Sequence, residues 1–211
     1  MTSQTLTRVL TVVAMLLIGG AYVSPIWWVS LKAPNYPAET FPDGIRIHFH
    51  VDHVGNGCKS RPKTGEIDEE EPLDCVHEMN TINHFIGMHP IAEGAKFEQM
   101  AAPFLFPLVG VMLAAFLFYR GRFWWVLPAS GIVIPFAFVI DYSGWLWWFG
   151  HTLNPWGAFT VKPFMPTVFG EGKVAQFSTY SYPHYGFGLL CAASACLMVA
   201  ALLRRKQLKN R

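Results

Sequence analysis

Polar and apolar positions along this chain follow two different rhythms. Four long apolar runs stand out, from about Val9 to Leu31, Ala102 to Tyr119, Phe123 to Phe149 and Tyr185 to Leu203. Each is near the roughly 20 residues that a helix needs to cross a hydrocarbon core of about 30 Å. Lipid offers no partners for backbone N–H and C=O groups, so helix is the expected conformation of each. Between the first two runs the period drops to two. Ile45, Ile47, Phe49 and Val51 alternate with Arg46, His48, His50 and Asp52, which predicts a strand ended by a turn at Gly55-Asn56-Gly57. From Asp74 to about Met88 the pattern turns helical. Asp74 suits the N-cap, Glu78 the early turns, and Gly87 and Pro90 the end.

Composition supports a membrane reading. The chain is 52% hydrophobic and only 14% charged, against about 25% charged in soluble domains. The first run lacks an A-x-A-like cleavage site. Its end, Pro25-Ile26-Trp27-Trp28, reads as an interfacial aromatic anchor, so an uncleaved helix is expected. Arg8, the Arg120/Arg122 pair, and the Arg204, Arg205, Lys206, Lys209 and Arg211 tail fall on one side of a four-helix path. The positive-inside rule makes that side cytoplasmic, with both termini inside and the two long loops in the periplasm. The expected fold class is membrane all-α: four transmembrane helices with a small extracytoplasmic α+β cap. The expected division is 1–31 anchor, 32–101 cap loop, 102–149 helical hairpin, 150–183 second outer loop, and 184–211 fourth helix with a basic tail. The bilayer is the first expected partner, and the net charge of +2 gives no reason to expect nucleic acid.

The eight histidines change the picture, because all lie outside the apolar runs or at their edges. His48, His50, His53, His77, His84 and His89 share one stretch with Cys58, Cys75, Met79 and Met88. Imidazole and sulfur suit copper, zinc and iron. A strand sets His48 and His50 on one face, with Asp52 extending the row and His53 on the other face unless the strand bulges. A helix aligns His84 with Met88, four residues on, and with His77, seven back. The expected metal set is therefore His48, His50, His77, His84 and Met88. Thioether favours Cu(I), so copper comes first, zinc second and haem third. No C-x-x-C-H is present for covalent haem attachment. The plainer alternatives are a polar strand face, a hydrogen-bonding His84 and a packed Met88.

Other residues carry weaker signals. Cys58 and Cys75 form a disulfide in an oxidising compartment on the plain reading, or bind copper as thiols on the sharper one. Asp68-Glu69-Glu70-Glu71 reads as a solvated loop, and Cys191 and Cys196 as helix packing. Asp141 is the acidic residue well inside an apolar run, either a paired structural carboxylate or a proton carrier. His151 and His184 flank the outer ends of helices three and four, as further metal or redox positions or as structural histidines. Phosphate-binding glycine patterns, G-x-S-x-G and H-E-x-x-H are missing.

The segment Met79-Asn80-Thr81-Ile82-Asn83-His84-Phe85-Ile86-Gly87-Met88-His89-Pro90-Ile91, with Leu31-Lys32-Ala33-Pro34-Asn35-Tyr36-Pro37 before it, resembles a motif in small multi-pass bacterial membrane proteins associated with nitrous oxide reductase maturation and copper handling. The resemblance covers about the first hundred residues. It implies copper-related accessory work at the periplasmic side of a bacterial inner membrane and marks His84 and Met88. The expected function is thus an integral membrane copper-binding accessory protein that delivers copper to, or assembles, a periplasmic or membrane copper enzyme. Two alternatives stand beside it. One is a subunit of a membrane respiratory or oxygenase complex binding copper, haem or quinone at the outer face. The other is a structural subunit without metal. Whether the protein is an enzyme stays open. The copper account needs the strand's imidazoles and the helix's nitrogen–sulfur edge to meet at one point.

Overall fold

The computed structural model describes residues 2–59, 73–174 and 176–209. The acidic run 68–71 lies outside them. The chain divides into two compact units, Met1–Ile26, Phe97–Asp141 and Pro183–Arg211 forming one, and Trp27–Lys96 with Tyr142–Tyr182 the other.

The first unit is helical. Among the described residues, three helices are long and apolar enough to cross a membrane: α1 (Ser3–Tyr22), α3 (Lys96–Phe118) and α6 (Tyr185–Lys209). A fourth span arises if α4 (Val126–Ile132) and α5 (Ile134–His151) count as one bent by 48°. Pro135 lies in the first turn of α5, so it removes a backbone donor and crowds the carbonyl four residues back, which bends the helix there. The Ser194 hydroxyl donates to the Ile132 carbonyl at this break (3.0 Å).

α1 and α6 pair through a narrow seam. Thr7, Thr11, Ala14, Ile18 and Ala21 are buried on α1. Gly186, Leu190, Ala193, Leu197, Ala200 and Arg204 are buried on α6. The alternating steps of three and four are those of a coiled-coil seam, and the small residues let the backbones come close. Gln207 Nε2 donates to the Thr7 hydroxyl (3.2 Å), and the Gly186 N–H to the Pro25 carbonyl (3.1 Å). The two helices therefore run antiparallel. Arg204 donates to the Tyr119 carbonyl and lies over the Phe116 ring, which brings the end of α3 to the same end as Gln207.

The first apolar run ends earlier than its hydropathy suggests. α1 stops at Tyr22, Val23 is its C-cap, and the Ser24 hydroxyl bonds the Gly20 carbonyl (2.6 Å). Pro25 cannot continue the helix. Trp27 and Trp28, expected to close a transmembrane helix, instead begin strand β1 (Trp27–Lys32).

The second unit holds a five-stranded sheet in the order β3-β2-β1-β5-β4. β2 (Ile45–Phe49) pairs antiparallel with β1 and with β3 (Val54–Asn56), and β4 (Gly170–Val174) pairs antiparallel with β5 (Phe177–Pro183). The expected strand across 45–54 is therefore a hairpin. It turns at residues 50–53, where the His50 N–H donates to the His53 carbonyl (2.9 Å), and Gly55-Asn56 belongs to β3 rather than to a turn. The strands at 170–183 were not legible in the sequence, because Thr179 and Ser181 point inward while Tyr180 and Tyr182 take the less buried positions.

Helix α2 (Cys75–Phe85) closes over the sheet. The Asp74 carboxylate caps it by accepting from Val76 and His77 N–H groups. Cys75, Met79 and Ile82 pack with Phe41, Ile45, Ile47 and Ile91 into one apolar core. Cys58 and Cys75 form a disulfide with a separation of 17 residues, a loop length that constrains the unfolded chain by about 3 kcal/mol in the chain-entropy account. Asn56 braces this corner, its Oδ1 accepting from the Cys58 N–H (3.0 Å) and its Nδ2 donating to the Leu73 carbonyl (2.6 Å).

Candidate functional site

Which face of β2 meets α2 decides the copper geometry. Ile45 and Ile47 join the α2 core. Alternation then sends Arg46 and His48 to the opposite face of the sheet. Arg46 lies there over the Trp28 ring, 4.1 Å from its centroid, beside the register pair Trp28 and His48. The strand's imidazole face and α2 are on opposite sides of the sheet.

The helix stripe fails for a second reason. α2 ends at Phe85, and Gly87 takes a left-handed φ of 76°. The Met88 N–H donates to the Asn83 carbonyl (2.8 Å) and the Gly87 N–H to the His84 carbonyl (3.1 Å). This is a Schellman ending, which turns the chain out of the helix, so Met88 does not sit four helical positions beyond His84. His77 and His84 are exposed on α2, away from its buried Cys75, Met79 and Ile82. The expected convergence of His48 and His50 with His77, His84 and Met88 is therefore not formed. Among the described residues, no group of three or more His, Cys, Asp or Glu side chains is placed to hold a metal ion.

Two other arrangements appear in its place. The first is the β2–β3 turn. His50 and His53 stack with ring centroids 4.3 Å apart and planes 11° from parallel. Because the chain turns at residues 50–53, His53 returns to His50 instead of pointing to the far face. Both rings lie over Gly55: a Cβ there would meet His50 Nε2 at 3.4 Å and His53 Nε2 at 3.8 Å. Gly55 is also the register partner of His48. His53 Nδ1 bonds the Asp52 carboxylate at 2.7 Å. An ionised carboxylate only accepts, so His53 Nδ1 is the donor in this bond, and Nε2 is the ring nitrogen turned away from Asp52.

The second is the end of α2, where several residues of the resemblance motif make hydrogen bonds and ring contacts. Asn80 Oδ1 accepts from the Ile91 N–H (2.8 Å). The Asn154 N–H donates to the Gly87 carbonyl (2.7 Å), and the Phe159 N–H to the Phe85 carbonyl (3.3 Å). A Cβ on Gly87 would meet the Asn154 carbonyl oxygen at 2.5 Å, so glycine is required there for space as well as for φ. His89 Nδ1 bonds Glu93 (2.8 Å), and its ring packs on Trp148 (4.7 Å). His84 stacks on Trp156 at 4.5 Å. His89, Glu93, Asn154 and Trp156 were not singled out from the sequence. Asn154 and Trp156 meet Gly87 and His84 more than sixty residues away in the chain, beyond any local pattern, whereas the His89–Glu93 contact is at helical i, i+4 spacing.

The remaining candidates are placed singly. His151 Nδ1 bonds the Trp147 carbonyl (2.8 Å), and its ring stacks on Trp147. His184 accepts from the Tyr185 N–H at the start of α6 (2.9 Å). Asp141 is half-buried on α5. Tyr36 donates to Glu78 (3.3 Å). Burial first, and the Glu78 charge second, push the Tyr36 hydroxyl above its ordinary pKa.

A scan against protein-family models and searches of curated proteins and of solved structures find no match to this chain.

Proposed function

We propose that this is a multi-pass membrane accessory protein that handles copper, or zinc as second choice, at its β2–β3 turn rather than on α2. The observation that carries the reading is the His50–His53 pair over Gly55, with Asp52 on His53. A carboxylate on one ring nitrogen is the usual way a metal-binding imidazole is oriented and made more basic. Two imidazoles leave coordination positions open, which suits a metal that must be passed on. The parallel rings would have to open for both nitrogens to reach one ion. In this proposal His48 borders the site and the cargo goes to a copper enzyme. The basic helix ends face the cytoplasm and the sheet unit the periplasm.

A second reading has its own support. His84, His89, His151 and His184 are each engaged in a local stack, ion pair or cap, as expected of a structural subunit without metal. Elemental analysis of the detergent-purified protein separates the two. Copper retained by the wild type and by His84→Ala, but lost in a His50→Ala/His53→Ala double variant, supports the turn site. Loss in His84→Ala with retention in the double variant moves the site back to α2. A metal-free protein after copper loading leaves the structural reading, and a Soret band overturns both in favour of haem.

A further inference from the structure

The end of α2 and the segment after α5 present large aromatic side chains without covering them. Phe85 is 50% exposed, Trp156 51% and Phe159 68%. They are not loose. Backbone hydrogen bonds tie Asn154 to Gly87 and Phe159 to Phe85, and the His84 ring is stacked under Trp156. A backbone held this firmly, with three aromatics left outward, marks a surface meant for an apolar contact.

Continuity with the apolar helices identifies the occupant. α5 ends at His151, and Trp156 follows five residues later, so it is tethered within about 18 Å of the helix end by chain length alone. Trp147, one turn before that end, is also half-exposed. No Asp or Glu occurs between His151 and Gly170, while Lys162 is present and exposed. Tryptophan and phenylalanine without carboxylates, beside a lysine able to reach phosphate, are what the headgroup layer accepts.

We propose that Phe85, Trp156 and Phe159 form an aromatic foot seated in the headgroup region of the bilayer that the apolar helices span. The inference rests on the membrane reading and not on copper. It is tested with the full chain in phosphatidylcholine nanodiscs, comparing wild type with Trp156→Phe so that the difference reports Trp156. The expected difference emission is blue-shifted, loses most of its intensity with lipids brominated near the headgroup, and resists aqueous iodide. Iodide quenching with no effect of brominated lipid overturns the foot, and so does shielding from both quenchers, which indicates a protein partner or a second copy. A Phe159→Trp variant repeats the measurement at a second position. A chain that stays soluble without detergent overturns the membrane reading itself, and that outcome is distinct from a membrane-inserted chain whose Trp156 remains in water.

Discussion

The two units differ in which side chains they bury. In the helical unit many buried positions are small or hydroxylic, such as Ala14, Ala21, Ala193, Ala200, Thr7, Thr11 and Ser194, beside the larger Leu113, Phe116, Leu190 and Leu197, while Leu16, Phe104, Val111, Phe136, Ile140 and Leu202 are exposed. In the sheet unit the core under α2 is made of large apolar side chains, Phe41, Ile45, Ile47 and Ile82 among them, and Trp27 is also buried. Water drives large apolar side chains inward, and lipid does not, so helices in lipid associate by close packing of small groups. Tyr142 shows the soluble-type logic within the second unit. It packs on Trp27 and Phe49, and its hydroxyl bonds Ser181 (3.1 Å), which also accepts from Trp27 Nε1 (2.9 Å).

This contrast can be broken at defined positions. The largest effect is expected in the sheet unit. Ile47→Ala empties a site with 2% exposure and is expected to destabilise that unit by about 2–5 kcal/mol. The loss should appear as an earlier near-ultraviolet circular dichroism transition in detergent while the helical far-ultraviolet signal persists. A single shared transition would mean that the units unfold together.

The helical unit should respond in the reverse sense to size. Ala193→Leu overfills the α6 seam, at a position with 0% exposure, and is expected to cost about 1–3 kcal/mol. Leu16→Ala, at a position 71% exposed, is expected to change stability by less than about 0.5 kcal/mol. Unfolding in mixed detergent titrations measures both. A larger loss for Leu16→Ala would mean that Leu16 packs against something other than lipid.

The smallest expected effect is at Tyr36. Its folded pKa lies above the unfolded value near 10, so the neutral hydroxyl's contribution is intact below that pH. As pH rises from there through the folded value, the contribution is lost. Tyr36→Phe should therefore flatten the decline of stability in the alkaline range. An unchanged alkaline slope would show that neither burial nor the Glu78 contact raises the Tyr36 pKa on folding.

Some of this architecture was legible residue by residue. Length and hydropathy foretold apolar helices at α3 and α6 and across 123–149, but not the 48° break between α4 and α5. Asp74 foretold the start of α2, and alternation foretold that Ile45, Ile47 and Phe49 share a face. The hairpin of β4 and β5 was not legible, because its inward residues are the hydroxyl-bearing Thr179 and Ser181, satisfied by distant partners such as the Val168 carbonyl (2.8 Å from Ser181 Oγ). Nor was the end of α1: Pro25-Ile26-Trp27-Trp28 read as an interfacial anchor, whereas α1 ends at Tyr22 and Trp27 and Trp28 begin a strand.

What the chain determined alone, then, is local: which stretches are too apolar for water, which residues share a strand face, and where a helix can begin. Only the folded structure decided that α2 covers the isoleucine side of β2, which puts His48 on the opposite face. It also decided that Gly87 turns Met88 off the helix and that the turn at 50–53 returns His53 to His50. Periodicity states which side chains point together, whereas docking, set by burial of the larger apolar area, decides what they point at.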